Sequence, residues 1–217
     1  MYIIFIVDFM KGEKVMVHEN ARAGFGKLFT AQVLGIIAAF CSLLTLIPGI
    51  GPIIAGAAIA ILGLIGYIMQ LVGLNQAGKD EDLIKSAFGL AIFSLILGVV
   101  GGILGSIFTD ATWISSIVNL VNEIISLVIV HHVLFGGANL NSALSDKAAS
   151  TWKIVLTVII IDIIVTIGLI ICGILGGDTA SAIVGIVVIV LTIVDVILDL
   201  ISFFMYLSFL SRAKNEA

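Results

Sequence analysis

Residues 53–74, IIAGAAIAILGLIGYIMQLVGL, decide the fold class: twenty-two consecutive positions carry no charged side chain. As a helix rising 1.5 Å per residue, the stretch is about 33 Å long, enough to cross a hydrocarbon core about 30 Å thick. A helix also satisfies its own backbone polar groups, which lipid cannot do. The run lacks the period-two alternation and the roughly ten-residue length of a barrel strand.

Five more runs of this kind flank it, near 28–47, 86–108, 114–135, 154–175 and 182–207. Hydrophobic residues make up 61% of the 217 positions and charged residues 11%, against about 45–50% and 25% in soluble domains. The sequence therefore predicts an all-α protein, a polytopic transmembrane bundle of six spans arranged as three hairpins. Residues 28–207 form the membrane domain, 1–27 a cytoplasmic N-terminal segment and 208–217 a cytoplasmic tail. The environment implied is the lipid bilayer of a cell membrane. Nothing resembles the basic face of a nucleic-acid binder.

All ten basic residues fall on one side of this arrangement. Lys11, Lys14, Arg22 and Lys27 precede the first run; Lys79 and Lys85 follow the second; Lys147 and Lys153 follow the fourth; Arg212 and Lys214 follow the sixth. The connections near 48–52, 109–113 and 176–181 carry none. Cytoplasmic loops retain Lys and Arg, so both termini are expected inside. Because the inside segments are the longer ones, chance alone gives this split roughly one time in ten. Position is the stronger argument: Lys27, Lys85, Lys153 and Arg212 each border a run, where a cation reaches the headgroups while its stem stays in the apolar edge.

Residues 2–10 are apolar but too short to span, and the basic residues follow them rather than precede them, unlike a signal peptide. The peptide Lys11–Met16 back-translates to AAA-GGA-GAA-AAA-GTT-ATG, a purine-rich ribosome-binding sequence ahead of a start codon. One reading starts translation at Met16 and leaves 1–15 untranslated. The other makes 1–15 an interfacial segment on the inner leaflet. The three hairpins open alike, at Gly26-Lys27-Leu28-Phe29, Ile84-Lys85-Ser86-Ala87 and Thr151-Trp152-Lys153-Ile154, as a parallel repeat would.

The two halves differ in chemistry. Ala87, Ala91, Ser94, Gly98, Gly101, Gly102 and Gly105 fall within an arc of about 100° on the third run. Gly56, Ala60, Gly63, Gly66 and Gly73 share a face with Gln70 on the second. Such stripes let helix backbones approach closely where lipid gives no hydrophobic drive for association. Pro48-Gly49-Ile50-Gly51-Pro52 reads as a tight outside turn.

The last three runs hold acids at membrane depth: Glu123, Asp162, Asp195 and Asp199. Each costs at least about 2.5–3.5 kcal/mol as a lone charge in the bilayer centre, and no Lys or Arg lies within the spans. Thr192, Asp195, Asp199, Ser202 and Tyr206 fall within about 80° on the sixth run; Ser115, Ser116, Asn119, Asn122, Glu123 and Ser126 within about 120° on the fourth. Asp162, Thr166 and Gly173 form a thinner stripe on the fifth. The three stripes are expected to meet in one polar seam. Its acids are either protonated and hydrogen-bonded to Asn119, Asn122, Thr166 or Thr192, or they line water, or they hold a cation.

His131 and His132 point about 100° apart on a helix and read as interfacial histidines rather than metal ligands. Cys41 and Cys172 read as small apolar packing residues. Leu175-Gly176-Gly177-Asp178 lacks the first glycine of an intramembrane aspartyl protease and falls in a loop. No nucleophile elbow, phosphate loop or His-Glu-x-x-His site occurs. The expectation is no enzyme and no cofactor.

Leu62–Phe88, LGLIGYIMQLVGLNQAGKDEDLIKSAF, resembles uncharacterised bacterial and archaeal multispanning membrane proteins. These repeat a Gly-rich helix with a Val-Gly-Leu type ending, a short charged loop and a Lys-Ser/Asn-Ala-Phe helix start. The resemblance covers about residues 25–105 and implies fold but no activity. Two functions remain: a non-catalytic scaffold or complex subunit, with membrane-protein partners or a second copy, and a proton or small-cation channel or transporter using the acids.

The topology is checked with single cysteines in a background lacking Cys41 and Cys172. Ile50→Cys, Ala111→Cys and Thr179→Cys should react with an impermeant thiol reagent added outside intact cells, and Asp80→Cys and Ser145→Cys should not. The opposite labelling would invert the arrangement.

Overall fold

The computed structural model describes residues 18–47, 49–107, 112–175 and 178–216; the side chains at 46, 112–116, 162, 165–193 and 195 lie outside the description. The segment 1–15, with its alternative start, Pro48 and the 176–177 connection are also outside it. Among the described residues the chain is helical throughout, without strands. Helix α1 is Glu19–Cys41, prolonged by a 3-10 turn at Ser42–Leu46. It is followed by α2 (Gly51–Ala77), α3 (Asp82–Ile107), α4 (Thr112–Leu140), α5 (Ser145–Leu175) and α6 (Asp178–Glu216). Among the described residues five stretches are long and apolar enough to cross a membrane: Glu19–Thr45, Gly51–Ala77, Asp82–Ile107, Ile117–Leu140 and Val196–Glu216. Such a set marks a helical membrane protein. Much of the remaining run, 154–175, falls on side chains outside the description.

The helices outrun the apolar stretches at the basic end. α1 begins nine residues before Leu28, and α6 continues nine residues past Leu207. Where water meets the helix, polar side chains cover the extra turns and no apolar run is needed, so hydropathy alone places the ends too early. Gly49 has φ 88°, where only glycine sits without strain, and Pro52 opens α2, where its missing N–H costs nothing.

Each helix packs against its neighbours in sequence, and α6 returns to α1. The buried core gathers at the basic end of this ring. Phe25 and Leu28 of α1, Leu74 and Ala77 of α2, Ile84 of α3, Val133 and Leu134 of α4, Ala148 of α5, and Phe209 and Leu210 of α6 form one cluster. Phe25 and Phe209 meet edge to face at 6.3 Å, a favoured aromatic geometry. The other end is its opposite: Phe40 is 68% exposed, Ile53 73% and Ile107 63%. Apolar surface on this scale is untenable in water and suits acyl chains.

Backbone proximity decides which glycines matter. A Cβ at Gly24 would lie 2.6 Å from the Ala77 Cβ and the Gly73 carbonyl oxygen, and one at Gly73 would lie 2.8 Å from the Gly24 carbonyl oxygen. Gly66 faces Ala31 and Leu34 at ordinary contact distance, whereas Gly56 and Gly63 have nothing within 4 Å. The α2 glycine face therefore packs along its basic half only. On α3 the small-residue stripe meets α4 in part: a Cβ at Gly101 would strike Val118, while Gly102 and Gly105 stand open.

Gly24→Ala and Gly73→Ala should each lower stability by about 1–3 kcal/mol, the usual cost of forcing atoms into a filled contact. Gly63→Ala should be neutral or up to about 1 kcal/mol stabilising through helix propensity. Unfolding by sodium dodecyl sulfate titration in mixed micelles measures both; equal effects at the packed and open positions would contradict the α1–α2 contact.

Candidate functional site

The polar residues of α4 converge as their spacing implies. Asn119, Asn122, Glu123 and Ser126 line one groove of about 360 Å³, with Ile159 of α5 on its far wall. Asn122 is held in place: the Ser94 hydroxyl of α3 donates to its Oδ1 at 2.8 Å. That bond crosses between helices beside Gly98, where an added Cβ would lie 3.9 Å from the Asn122 amide nitrogen. Such interhelical bonds average about 0.6 kcal/mol. Asn119, Glu123 and Ser126 are exposed to the open side of the groove.

Asp199 occupies a different place. It lines a groove of about 550 Å³ between α1 and α6, walled by Gly35 and Phe40 on one side and Phe203 and Phe204 on the other. Farther down the same face of α6, Tyr206 is buried in the core. Glu123 and Asp199 thus belong to separate grooves on separate helix pairs. The side chains of Asp162, Thr166, Thr192 and Asp195 lie outside the described residues, as do those of Ser115, Ser116 and Cys172. Asp162 follows Ile159 by three positions on α5, one helical turn from the Glu123 groove.

His131 sits in an aromatic cluster, 4.6 Å from the Phe135 ring centroid and 4.8 Å from that of Trp152. His132 turns its Nδ1 to the Val128 carbonyl oxygen at 2.7 Å. Among the described residues no group of three or more His, Cys, Asp or Glu side chains is placed to hold a metal ion.

Sequence reasoning missed the polar network at the basic end. Asp80, from the short turn between α2 and α3, accepts the Ala21 backbone N–H at 2.8 Å and the Asn20 amide at 3.0 Å. It caps the first turn of α1 from 59 residues away, supplying the acceptor and negative charge that a helix N-terminus favours. Glu81 accepts from the Asn139 amide at 2.9 Å, and the Asn141 amide donates to the Glu216 carbonyl at 2.9 Å. Lys147 donates to the Ser208 hydroxyl. Partial burial pushes its ammonium below the usual lysine range, the Arg212 charge adds to that, and Glu216 opposes it. Lys214 lies over the Phe29 ring at 4.0 Å, a cation–π contact. The pair Gly136 and Gly137, also missed, lets α4 meet Ile84 of α3 and Phe209 of α6.

Comparison with protein-family models, with curated proteins and with solved structures finds no match.

Proposed function

We propose that the chain is a non-catalytic membrane protein that works by assembly, as a scaffold or as a subunit of a larger complex. The observation that carries this reading is the open-sided groove of Asn119, Glu123 and Ser126 at the middle of a helix long and apolar enough to span. A carboxyl facing acyl chains is costly, and a helix from a second copy or another membrane protein would cover it and supply hydrogen-bond partners. Support also comes from the short connections between helices and from the lack of any catalytic motif.

In this reading there are six spans in three hairpins, with both termini on the cytoplasmic side of the cell membrane. The confinement of Lys and Arg to one side supports that orientation. The likeness of Leu62–Phe88 to multispanning membrane proteins belongs to the same reading.

A second reading, a proton- or cation-conducting protein, draws support from the four oxygen-bearing side chains in the Glu123 groove. Oxygen donors suit hard cations, although Asn122 already accepts from Ser94.

Extracted in a mild detergent, the wild-type chain should migrate as an assembly larger than one copy. The double substitution Asn119→Leu with Glu123→Leu should release the monomer without loss of thermal stability. A monomeric wild type, or an assembly indifferent to the substitutions, would overturn this reading. Cation or proton flux into vesicles, lost with Glu123→Gln, Asp195→Asn and Asp199→Asn, would favour the second.

A further inference from the structure

The turn between α2 and α3 runs Lys79-Asp80-Glu81-Asp82, and the fold sorts its charges. Asp80 is drawn to the start of α1 and Glu81 to Asn139 of α4. Lys79 instead joins Lys85 of α3 on the wall of a cavity of about 270 Å³, completed by Asn75, Gly78, Asp82 and Phe88. Gly78 brings the two lysines together. An added Cβ there would lie 2.8 Å from the Lys85 Cα and 2.9 Å from its backbone nitrogen, so the end of α2 rests directly on the Lys85 backbone. Both lysines are exposed. Among the described residues neither side chain makes an ion pair or a hydrogen bond. Asp82 pairs with neither, and it is the acid left on the wall.

The cavity lies at the edge of the membrane. α2 and α3 are both long and apolar enough to span. Asn75 directly follows the apolar run 53–74, and Lys85 directly precedes the run 86–108. Phe88 lies one helical turn deeper, about 4.5 Å, on the acyl side. From this arrangement we infer that the cavity binds the headgroup of an anionic phospholipid. The chemistry selects that class. Basic pockets between spanning helices at the membrane edge hold anionic headgroups. Each lysine offers three N–H donors and the Asn75 amide two, and a phosphodiester offers only acceptors. Two ammonium groups against one carboxylate leave a net positive charge, which a headgroup of net negative charge matches and a zwitterionic one does not. Asp82 can accept from a headgroup hydroxyl, such as that of glycerol. The Phe88 ring suits the first methylenes of an acyl chain, which a free phosphate ion lacks. The inference is independent of the assembly reading, whose face is on α4.

The test uses the full chain purified in a neutral detergent and counts bound lipid by native mass spectrometry during a titration. Dioctanoyl phosphatidylglycerol should bind saturably at one site per chain, at least tenfold more tightly than dioctanoyl phosphatidylethanolamine. Inorganic phosphate at the same concentration should not displace it. Lys79→Gln with Lys85→Gln should weaken binding at least tenfold. Lys27→Gln with Lys153→Gln, which removes the same charge at the starts of two other runs, should leave it unchanged. The inference is overturned by equal binding of the two lipids, by full binding to Lys79→Gln with Lys85→Gln, or by equal losses in the two glutamine pairs. Displacement by inorganic phosphate would also overturn it, by marking a site for a free anion. If Lys79→Gln with Lys85→Gln does not fold, the comparison of the two lipids on the wild type still decides.

Discussion

Backbone contact between α1 and α2 at Gly24, Gly73 and Ala77 is the interaction from which the rest of the packed end follows. Lipid is as apolar as leucine, so helices in a bilayer gain little from hiding side chains and must gain from close approach. Here the approach is so close that even a methyl group on either glycine would overlap the partner helix. The end of α2 is thereby fixed beside the start of α1, and the turn that follows inherits the position. Asp80 reaches the Ala21 N–H, and Gly78 packs against the backbone of Lys85 in α3. Phe25, one residue after Gly24, then faces Phe209 of α6 and Gly137 of α4.

The packed end and the open end divide the work. At the basic end large side chains are fully buried and long-range polar bonds tie the turns and helix ends together. Its exposed ion pair, Arg212 with Glu216 at 3.2 Å, adds at most about 1 kcal/mol. The apolar cluster and the caps contribute more. Toward the other end the helices present isoleucine, leucine and phenylalanine outward, and there the two described acids each line an open-sided groove. Polar groups at that depth have no water to turn to. Amides and a hydroxyl line the groove beside Glu123, and phenyl rings line the one beside Asp199.

Much of this was legible in the sequence because composition and length report directly on the solvent. The apolar runs fall on the helices though not at their ends, and the arcs on α3 and α4 identify residues that meet, as Ser94 and Asn122 do. What periodicity could not supply is which partner a face meets. Gly63 and Gly73 share one stripe on α2, yet only Gly73 touches α1. Asp80 reads as a solvated loop charge, and its role as a cap depends on a residue 59 positions away. Glu123 and Asp199 resemble each other in sequence context but face different helices, because the rotation of each helix is decided by its contacts and not by its own hydrophobicity. Gly136 and Gly137 have no stripe to announce them, since each serves a different neighbour.

The packing depends most directly on the register of α1 against α2. A Cβ at Gly66 would lie 3.7 Å from the Leu34 Cβ, close to the mean separation in disulfides, about 3.8 Å. In a background without Cys41 and Cys172, oxidation of Leu34→Cys with Gly66→Cys in native membranes should give an intramolecular disulfide in high yield. Gly35→Cys with Gly63→Cys, whose added Cβ atoms meet nothing within 4 Å, should stay reduced within the chain. A bridge in the second pair and none in the first would contradict the register on which the packing depends.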